Sequence, residues 1–126
     1  MKVNTVVDQA ASIMIHTITG EMTIDGIKSS YEAILSHPEF QEDMNSIWDI
    51  RDADASKFDR QDVIRIARYF ETQLKNRAEF KVAVIVSRLF EYDLSRTFQV
   101  AAADLAAKIG IFHNLEEAQK WLAGSD

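Results

Sequence analysis

The side chains able to do chemistry are concentrated in two polar stretches, residues 51–62 and 87–96, each of which follows a predicted strand. Ligands of open parallel sheets tend to bind at the carboxyl ends of the strands, so these stretches predict a functional rim. The residues expected to converge on this rim are Arg51, Asp52, Asp54, Ser56, Arg88, Tyr92, Ser95 and Arg96.

A catalytic centre is not predicted from these residues. Asp52 and Asp54 are better explained as turn formers or helix caps than as an acid–base pair. Asp49 and Arg51 are expected to tie the loop to a helix N-terminus through charge-assisted hydrogen bonds. An enzyme that depends on Asp52 or Arg96 is the third-ranked hypothesis.

Residues that usually hold metals or cofactors are sparse. The histidines His16, His37 and His113 are scattered, and none belongs to an i, i+4 pair. The chain has no cysteine and no glycine-rich loop of the phosphate-binding kind. We therefore predict no metal site and no cofactor.

Aromatic residues around the second and third predicted helices form another candidate site. They could line a cleft for an apolar ligand, with two arginines nearby. The predicted ligand-binding residues are Phe58, Tyr69, Arg88, Phe90, Tyr92, Arg96 and Phe98. For Phe70 and Phe98, core packing is the favoured alternative, because aromatic residues at helical spacing are usually buried. Phe90 and Tyr92 are placed in a loop, where a ligand or protein contact is favoured.

Composition indicates an ordinary globular domain. The chain has 126 residues, 47% of them hydrophobic and 27% charged, which predicts one domain spanning 1–126. Its net charge of −6 disfavours nucleic acid as a partner. No apolar run reaches the ~20 residues of a membrane span, and the N-terminus is unlike a signal peptide. We expect a soluble cytoplasmic protein without an integral membrane segment.

Hydrophobic periodicity predicts strands that alternate with helices. Strands are predicted over residues 3–7, 12–19, 46–50, 80–87 and 109–112. Helices are predicted from an N-cap at Thr23 to before Pro38, over 59–76, over 94–108, and from Asn114, where Glu117 completes a capping-box pattern. The order predicts an α/β fold with a mixed, mostly parallel sheet, an N-terminal hairpin and about four helices.

Four segments resemble the SpoIIAA-like group, which belongs with the STAS and SEC14-like domains. They are Ile18-Thr-Gly-Glu-Met-Thr23, Ile47-Trp-Asp-Ile-Arg51, Tyr92-Asp-Leu-Ser-Arg96 and Phe112-His-Asn-Leu-Glu-Glu-Ala-Gln-Lys-Trp121. The resemblance covers nearly the whole chain and implies a small mixed sheet with helices wound to one side.

The resemblance also implies a functional device, a phosphorylatable serine in a turn between the third strand and the second helix. Here that region, residues 51–60, has no Asp-Ser pair and no glycine, and Ser56 is its single hydroxyl. Ser56 is the candidate phosphoacceptor of a partner-switching regulator, which is the alternative hypothesis.

The leading hypothesis is a non-catalytic SpoIIAA-like domain. It would bind or carry a small apolar or amphipathic ligand, or a protein partner, at the cleft between the second and third helices. Exposed aromatic residues such as Phe90, together with an N-terminal edge strand, also offer surfaces for a homodimer.

Overall fold

Strands and helices alternate along most of the chain in the computed structural model, which describes residues 1–74, 79–103 and 107–124. The strands are β1 (Lys2–Asp8), β2 (Ile13–Glu21), β3 (Asn45–Asp49), β4 (Ala53–Asp54), β5 (Phe80–Ile85) and β6 (Ala107–Phe112). The helices are α1 (Ile24–Leu35), α2 (Arg60–Gln73), α3 (Leu89–Ala101) and α4 (Leu115–Leu122).

The strands form a mixed sheet that is parallel except at one edge. Its order is β1-β2-β3-β5-β6, and the short β4 pairs with the end of β2. β1 and β2 form the predicted antiparallel hairpin, while β2, β3, β5 and β6 run parallel. Helices α1, α2 and α3 are the crossovers that parallel neighbours require. The predicted α/β class, mostly parallel sheet and N-terminal hairpin are therefore confirmed.

Helices cover both faces of this sheet. We call the face under α1, α2 and α3 the crossover face and the opposite one the α4 face. Alternate strand residues point to opposite faces, so Ile47 and Ala83 pack against α4, whereas Trp48 and Val82 lie under the crossover helices. The position of α4 differs from the expectation that the helices lie on one side.

Side-chain caps fix where three of the helices begin. Thr23 accepts a hydrogen bond from a backbone N–H of α1, and Asn114 accepts one from the backbone of Glu117 at 2.8 Å, both as predicted. The cap of α2 is Asp59, which forms a reciprocal capping box with Asp62. The prediction of a cap at Asp52 or Asp54 was therefore wrong.

The third helix differs most from its predicted limits of 94–108. It begins at Leu89 and ends at Ala101, so the predicted loop at 88–93 is largely helical. The alanine-rich stretch looked helical, yet Ala107 and Lys108 belong to β6, where they pair with the start of β5. Strand pairing overrides helix propensity here. Residues 75–76 of the predicted second helix and 104–106 of the predicted third helix lie outside the described residues.

Candidate functional site

The main candidate site is a partly open pocket, called the cavity below, between the crossover face and helices α1, α2 and α3. Its volume is about 150 Å³. Strands form the floor and helices the roof, with contributions from Ile18, Trp48, Val82, Ile27, Ile66 and Leu94. Few voids in protein interiors exceed the size of a water molecule, so a cavity of this volume is unusual. It lies at the cleft predicted between the second and third helices, and it is also bounded by α1 and the sheet.

The cavity follows from the way that the elements present their side chains. Alternate residues of the parallel strands, such as Trp48 and Val82, face the crossover helices. On α2, Val63, Ile66 and Phe70 recur at helical spacing, so they form one apolar face of the helix, and this face is directed toward the sheet. The helices rest on these bulky side chains, and the cavity is the space that remains between the helices and the sheet.

The lining of the cavity is almost wholly apolar. Among the described residues, no charged side chain contributes to the wall. Two serines do contribute, Ser46 on β3 and Ser95 on α3, with exposures of 9% and 7%. Neither hydroxyl makes a hydrogen bond to the described residues. The site therefore combines apolar walls with hydroxyls available to a ligand.

Two of the predicted ligand-binding residues line this cavity. Phe58 is buried just ahead of α2, and Phe98 is half-buried on α3. Phe98 meets Phe70 of α2 edge to face, with ring centroids 6.1 Å apart. Phe70, for which core packing was favoured, also lines the cavity, so these residues serve both as core and as cavity wall.

The other predicted aromatic residues lie elsewhere. Tyr69 packs edge-on against Phe70, and burial raises the pKa of the Tyr69 phenol. Tyr92 is helical rather than in a loop, and it stacks on His113 with ring centroids 6.1 Å apart. Phe90 is likewise on α3, and its side chain lies outside the described part of the structure.

The two predicted arginines are exposed on α3 and its N-cap. The Nε of Arg88 is 3.8 Å from a carboxylate oxygen of Glu91, and Arg96 donates a hydrogen bond to Gln99. Neither arginine lines the cavity. The seven predicted ligand-binding residues therefore do not converge on one site.

The loop after β3 is organised by its own hydrogen bonds. Arg51 donates to both carboxylate oxygens of Asp49, at 2.9 and 2.7 Å, and this contact lowers the pKa of Asp49. The hydroxyl of Ser56 donates to Asp54 at 2.6 Å, which lowers the pKa of Asp54. Arg88 lowers that pKa further by a smaller amount. Asp49 and Arg51 therefore bind each other, whereas the prediction was that they tie the loop to a helix N-terminus. The loop lies close to the start of α3.

Glu91 is a buried carboxylate that the sequence interpretation missed. It lies in the first turn of α3 and is 1% exposed. One of its oxygens accepts hydrogen bonds from the backbone N–H and the hydroxyl of Ser87, both at 3.4 Å. Because Arg88 provides no side-chain cap, Glu91 stabilises this helix N-terminus instead. Glu91 lies three residues after the N-cap Arg88, which is the usual position of an acidic residue that caps a helix. Because residues 88–93 were predicted to be a loop, this signal was not recognised.

His16 is a second buried polar side chain, on the crossover face. Its Nδ1 is 2.9 Å from the hydroxyl oxygen of Thr5, whereas its Nε2 has no hydrogen-bond partner among the described residues. The ring also lies against Trp48, with centroids 4.7 Å apart. Burial, with a smaller contribution from the charge of His37, lowers the pKa of His16 to about 4. His16 is therefore neutral at pH 7.

Two further observations concern metals and membranes. Within residues 1–74, 79–103 and 107–124, no three acidic or histidine side chains are grouped so that they could hold a metal ion. Over the same ranges, none of the helices has the length and hydrophobicity needed to traverse a lipid bilayer.

Comparison with known proteins identifies the fold. No protein-family model matches the chain, and no curated protein matches its sequence. Among solved structures, the chain is similar to an uncharacterised protein of the DUF3478 family with a SpoIIAA-like fold, from Shewanella loihica PV-4. The TM-score is 0.57 at 16% sequence identity, over 96% of this chain and 92% of the other. The protein therefore has a SpoIIAA-like fold, as the sequence resemblance implied.

Proposed function

We propose that residues 1–126 form a single, non-catalytic, cytoplasmic domain that binds a small, neutral and largely apolar molecule in the cavity. The observation that carries this proposal is the apolar cavity of about 150 Å³ between the crossover face and its helices. A small molecule is favoured over a protein partner because wall residues such as Phe58 and Ile66 are buried and present no outer surface.

The volume limits the size of the ligand. An apolar cavity near 150 Å³ stays dry and accepts benzene in a well-studied engineered protein, so we expect a compact ligand of roughly six to ten non-hydrogen atoms. A long acyl chain occupies several times the volume of benzene. It would fit only if the helices moved away from the sheet, which makes a fatty acid a poor candidate.

The chemistry of the wall limits the polarity of the ligand. A charged group inside the cavity would lose its hydration without gaining an oppositely charged partner, and that cost is large. The hydroxyls of Ser46 and Ser95 can each form one hydrogen bond with a polar atom of the ligand. Aromatic or alicyclic molecules with a single hydroxyl, carbonyl or ring N–H meet both conditions.

The energetics of an empty cavity also support a ligand. At about 24 cal/mol per Å³, a dry space of 150 Å³ without a ligand would cost on the order of 3–4 kcal/mol. Domains of this size have total stabilities of about 5–15 kcal/mol, so the cost is a substantial fraction. A ligand that restores the missing van der Waals contacts would recover part of it.

Calorimetric titration with benzene, indole and palmitate tests the proposal. We expect benzene and indole to bind and to raise the unfolding temperature, and palmitate to bind much more weakly. Val63→Phe should abolish binding because the added ring occupies the cavity. Val100→Phe, the same substitution at a position that is 68% exposed, is the matched control and should bind normally. Absence of binding by both aromatic probes, or full binding by Val63→Phe, would contradict the proposal.

A second titration tests the role of the hydroxyls. Ser95→Ala should weaken indole binding by about fivefold to tenfold, the usual range for one lost hydrogen bond, and leave benzene binding unchanged. Benzene is the internal control because it has no hydrogen-bonding group. Equal losses for both probes would show that Ser95 only shapes the wall.

The partner-switching alternative requires phosphorylation of Ser56. The Ser56 hydroxyl is exposed, but it already donates to Asp54, and a phosphate there would face that carboxylate at close range. This geometry favours ligand binding over the switch. Intact-mass measurement of protein purified from its native cells, with Ser56→Ala as the control, would detect the phosphate that this alternative requires.

A further inference from the structure

The two edges of the sheet differ in how they are protected. At the β6 edge, the side chain of Gln99 on α3 donates a hydrogen bond to the backbone carbonyl of Ile109 at 2.6 Å. At the β1 edge, the strand pairs with β2 on one side, and no hydrogen bond from the described residues reaches its other side. An unpaired strand edge is a template for another strand. Over the described residues, the β1 edge is therefore the less protected of the two and is open to a partner.

The charges of β1 select the orientation of such a partner. The strand begins with Lys2, ends with Asp8 and has Thr5 at its centre. If two β1 strands pair antiparallel about a two-fold axis at Thr5, Lys2 lies opposite Asp8 of the second copy at both ends. Pairing in parallel register would instead place like charges opposite each other, which is destabilising.

We propose that the occupant of the β1 edge is a second copy of this chain, paired antiparallel about Thr5 so that the two sheets become continuous. A two-fold interface of this kind is self-complementary, as homodimers require. The pattern of exposure fits the register, because exposed and half-buried residues alternate along β1 and opposite residues share a face.

Surfaces beside β1 would enlarge this interface beyond the two strands. On one face, Val6 is 55% exposed, and the adjoining strand would cover it. On the other face, a groove between β1 and α1 is lined mostly by small side chains such as Thr5, Ser29 and Ala33, together with Ile34 and His37. The two-fold axis places the two α1 helices on the same side of the joined sheet. Their contact would add to the area that a stable dimer needs.

A different role for Lys2 and Asp8 is to keep the β1 edge free, since charges on edge strands often prevent pairing. The two roles predict opposite outcomes when the charges are changed. Charges that block pairing would leave the protein monomeric, whereas complementary charges would produce a dimer that depends on their signs.

Sedimentation velocity at low ionic strength tests the proposal with the full chain. Lys2→Glu places a carboxylate opposite Asp8, and Asp8→Lys places an ammonium group opposite Lys2, so each variant has two like-charge pairs. We expect each variant alone to show a dimer dissociation constant at least tenfold weaker than the natural sequence, because symmetry doubles the effect of each change. Lys108→Glu, an exposed change on β6 with the same charge difference as Lys2→Glu, should leave the dimer unchanged.

Mixing the two variants is the decisive experiment. One copy then carries a carboxylate at each end of β1 and the other copy an ammonium group at each end, so both pairs become attractive again. We expect the mixture to form a heterodimer of about the natural affinity, which also shows that both variants are folded. A natural sequence that stays monomeric, variants that dimerise normally, or a mixture that stays monomeric would each overturn the proposal.

Discussion

The two faces of the sheet are built from the same kinds of residue and packed to different densities. On the α4 face, Ile47, Ala83 and Ala118 are all 0% exposed. A Cβ atom added to Gly110 there would lie 2.8 Å from the ring of Phe112, which leaves no free volume. The crossover face contains the cavity of about 150 Å³, and within the described part of the chain the Nε2 atom of the buried His16 has no hydrogen-bond partner.

The difference shows that apolar composition alone does not determine packing. α4 is a single helix of 8 residues, and its small Ala118 lets it lie close to the strands. The roof of the crossover face consists of three helices, and the rings of Phe70 and Phe98 meet between α2 and α3. Close packing is the ordinary state of a protein core, so the loosely packed face is the one that calls for a functional explanation.

The largest expected contrast comes from the same truncation on each face. Ile47→Ala should lower the free energy of unfolding by about 4 kcal/mol, because the closely packed α4 face cannot collapse around the new cavity. Ile66→Ala, on the wall of the existing cavity, should cost about 2 kcal/mol, since Ile66 already lacks neighbours on one side. Urea unfolding measures both values. Equal costs would show that the two faces are packed alike.

The next effect concerns pH and the buried His16 on the crossover face. Its pKa in the folded protein is about 4, below the unfolded value near 6.5, so the unfolded state binds the proton first. The stabilisation is present above pH 6.5 and is lost as the pH falls toward 4, by on the order of 3 kcal/mol. Unfolding curves measured between these pH values should show this loss in the natural protein and a much smaller one in His16→Gln. A similar loss in both would assign the effect to other groups.

Adding one methyl group to each face tests the contrast in the opposite direction. Gly110→Ala should lower stability by about 1–3 kcal/mol, because the new Cβ overlaps the ring of Phe112. Val63→Ile points its extra carbon toward the cavity and should change stability by less than about 0.5 kcal/mol. Thermal unfolding is sufficient for this pair. A stable Gly110→Ala variant would show that the α4 face can relax.

The smallest expected effect is a surface contact that holds α4. The Nζ of Lys81 donates to the backbone carbonyl of Trp121 at 3.1 Å and lies 5.2 Å from the centre of its ring. Lys81→Met should cost about 1 kcal/mol through the lost hydrogen bond and cation–π contact. Lys108→Met, on the neighbouring strand, is the matched control and should be close to neutral. A Lys81 variant as stable as this control would indicate that α4 is held by its apolar contacts alone.

The parts of the fold that could be predicted were those with local signals. Thr23 and Asn114 cap their helices as predicted, because a cap is determined by a few neighbouring residues. The start of α3 was missed for a physical reason. Leu89 is 77% exposed and Glu91 is 1% exposed, which inverts the usual pattern of a helix N-terminus. β4 was also missed, since its 2 residues are ordered by pairing with β2 and not by their own propensity.

Only part of the cavity wall was named from the sequence. Phe58 and Phe98 were chosen as aromatic residues near the second and third helices, and both line the cavity. Ser46 was missed, and Ser95 was predicted at the rim of the sheet and not in the cavity wall, because a buried serine and an exposed one have the same local sequence signals. An empty volume depends on how far the helices stand from the sheet, and no single residue encodes that distance.

The arrangement of the cavity roof has a kinetic consequence. The roof consists of the crossover helices α1, α2 and α3. The hydrogen bonds between strands lie within the sheet that forms the floor. A ligand can therefore reach the cavity when helices separate from the sheet, without any strand dissociating. Amide hydrogens of α2 and α3 should then exchange with solvent faster than those of β3 and β5, and a bound ligand should slow the exchange of the helices while leaving that of the strands unchanged.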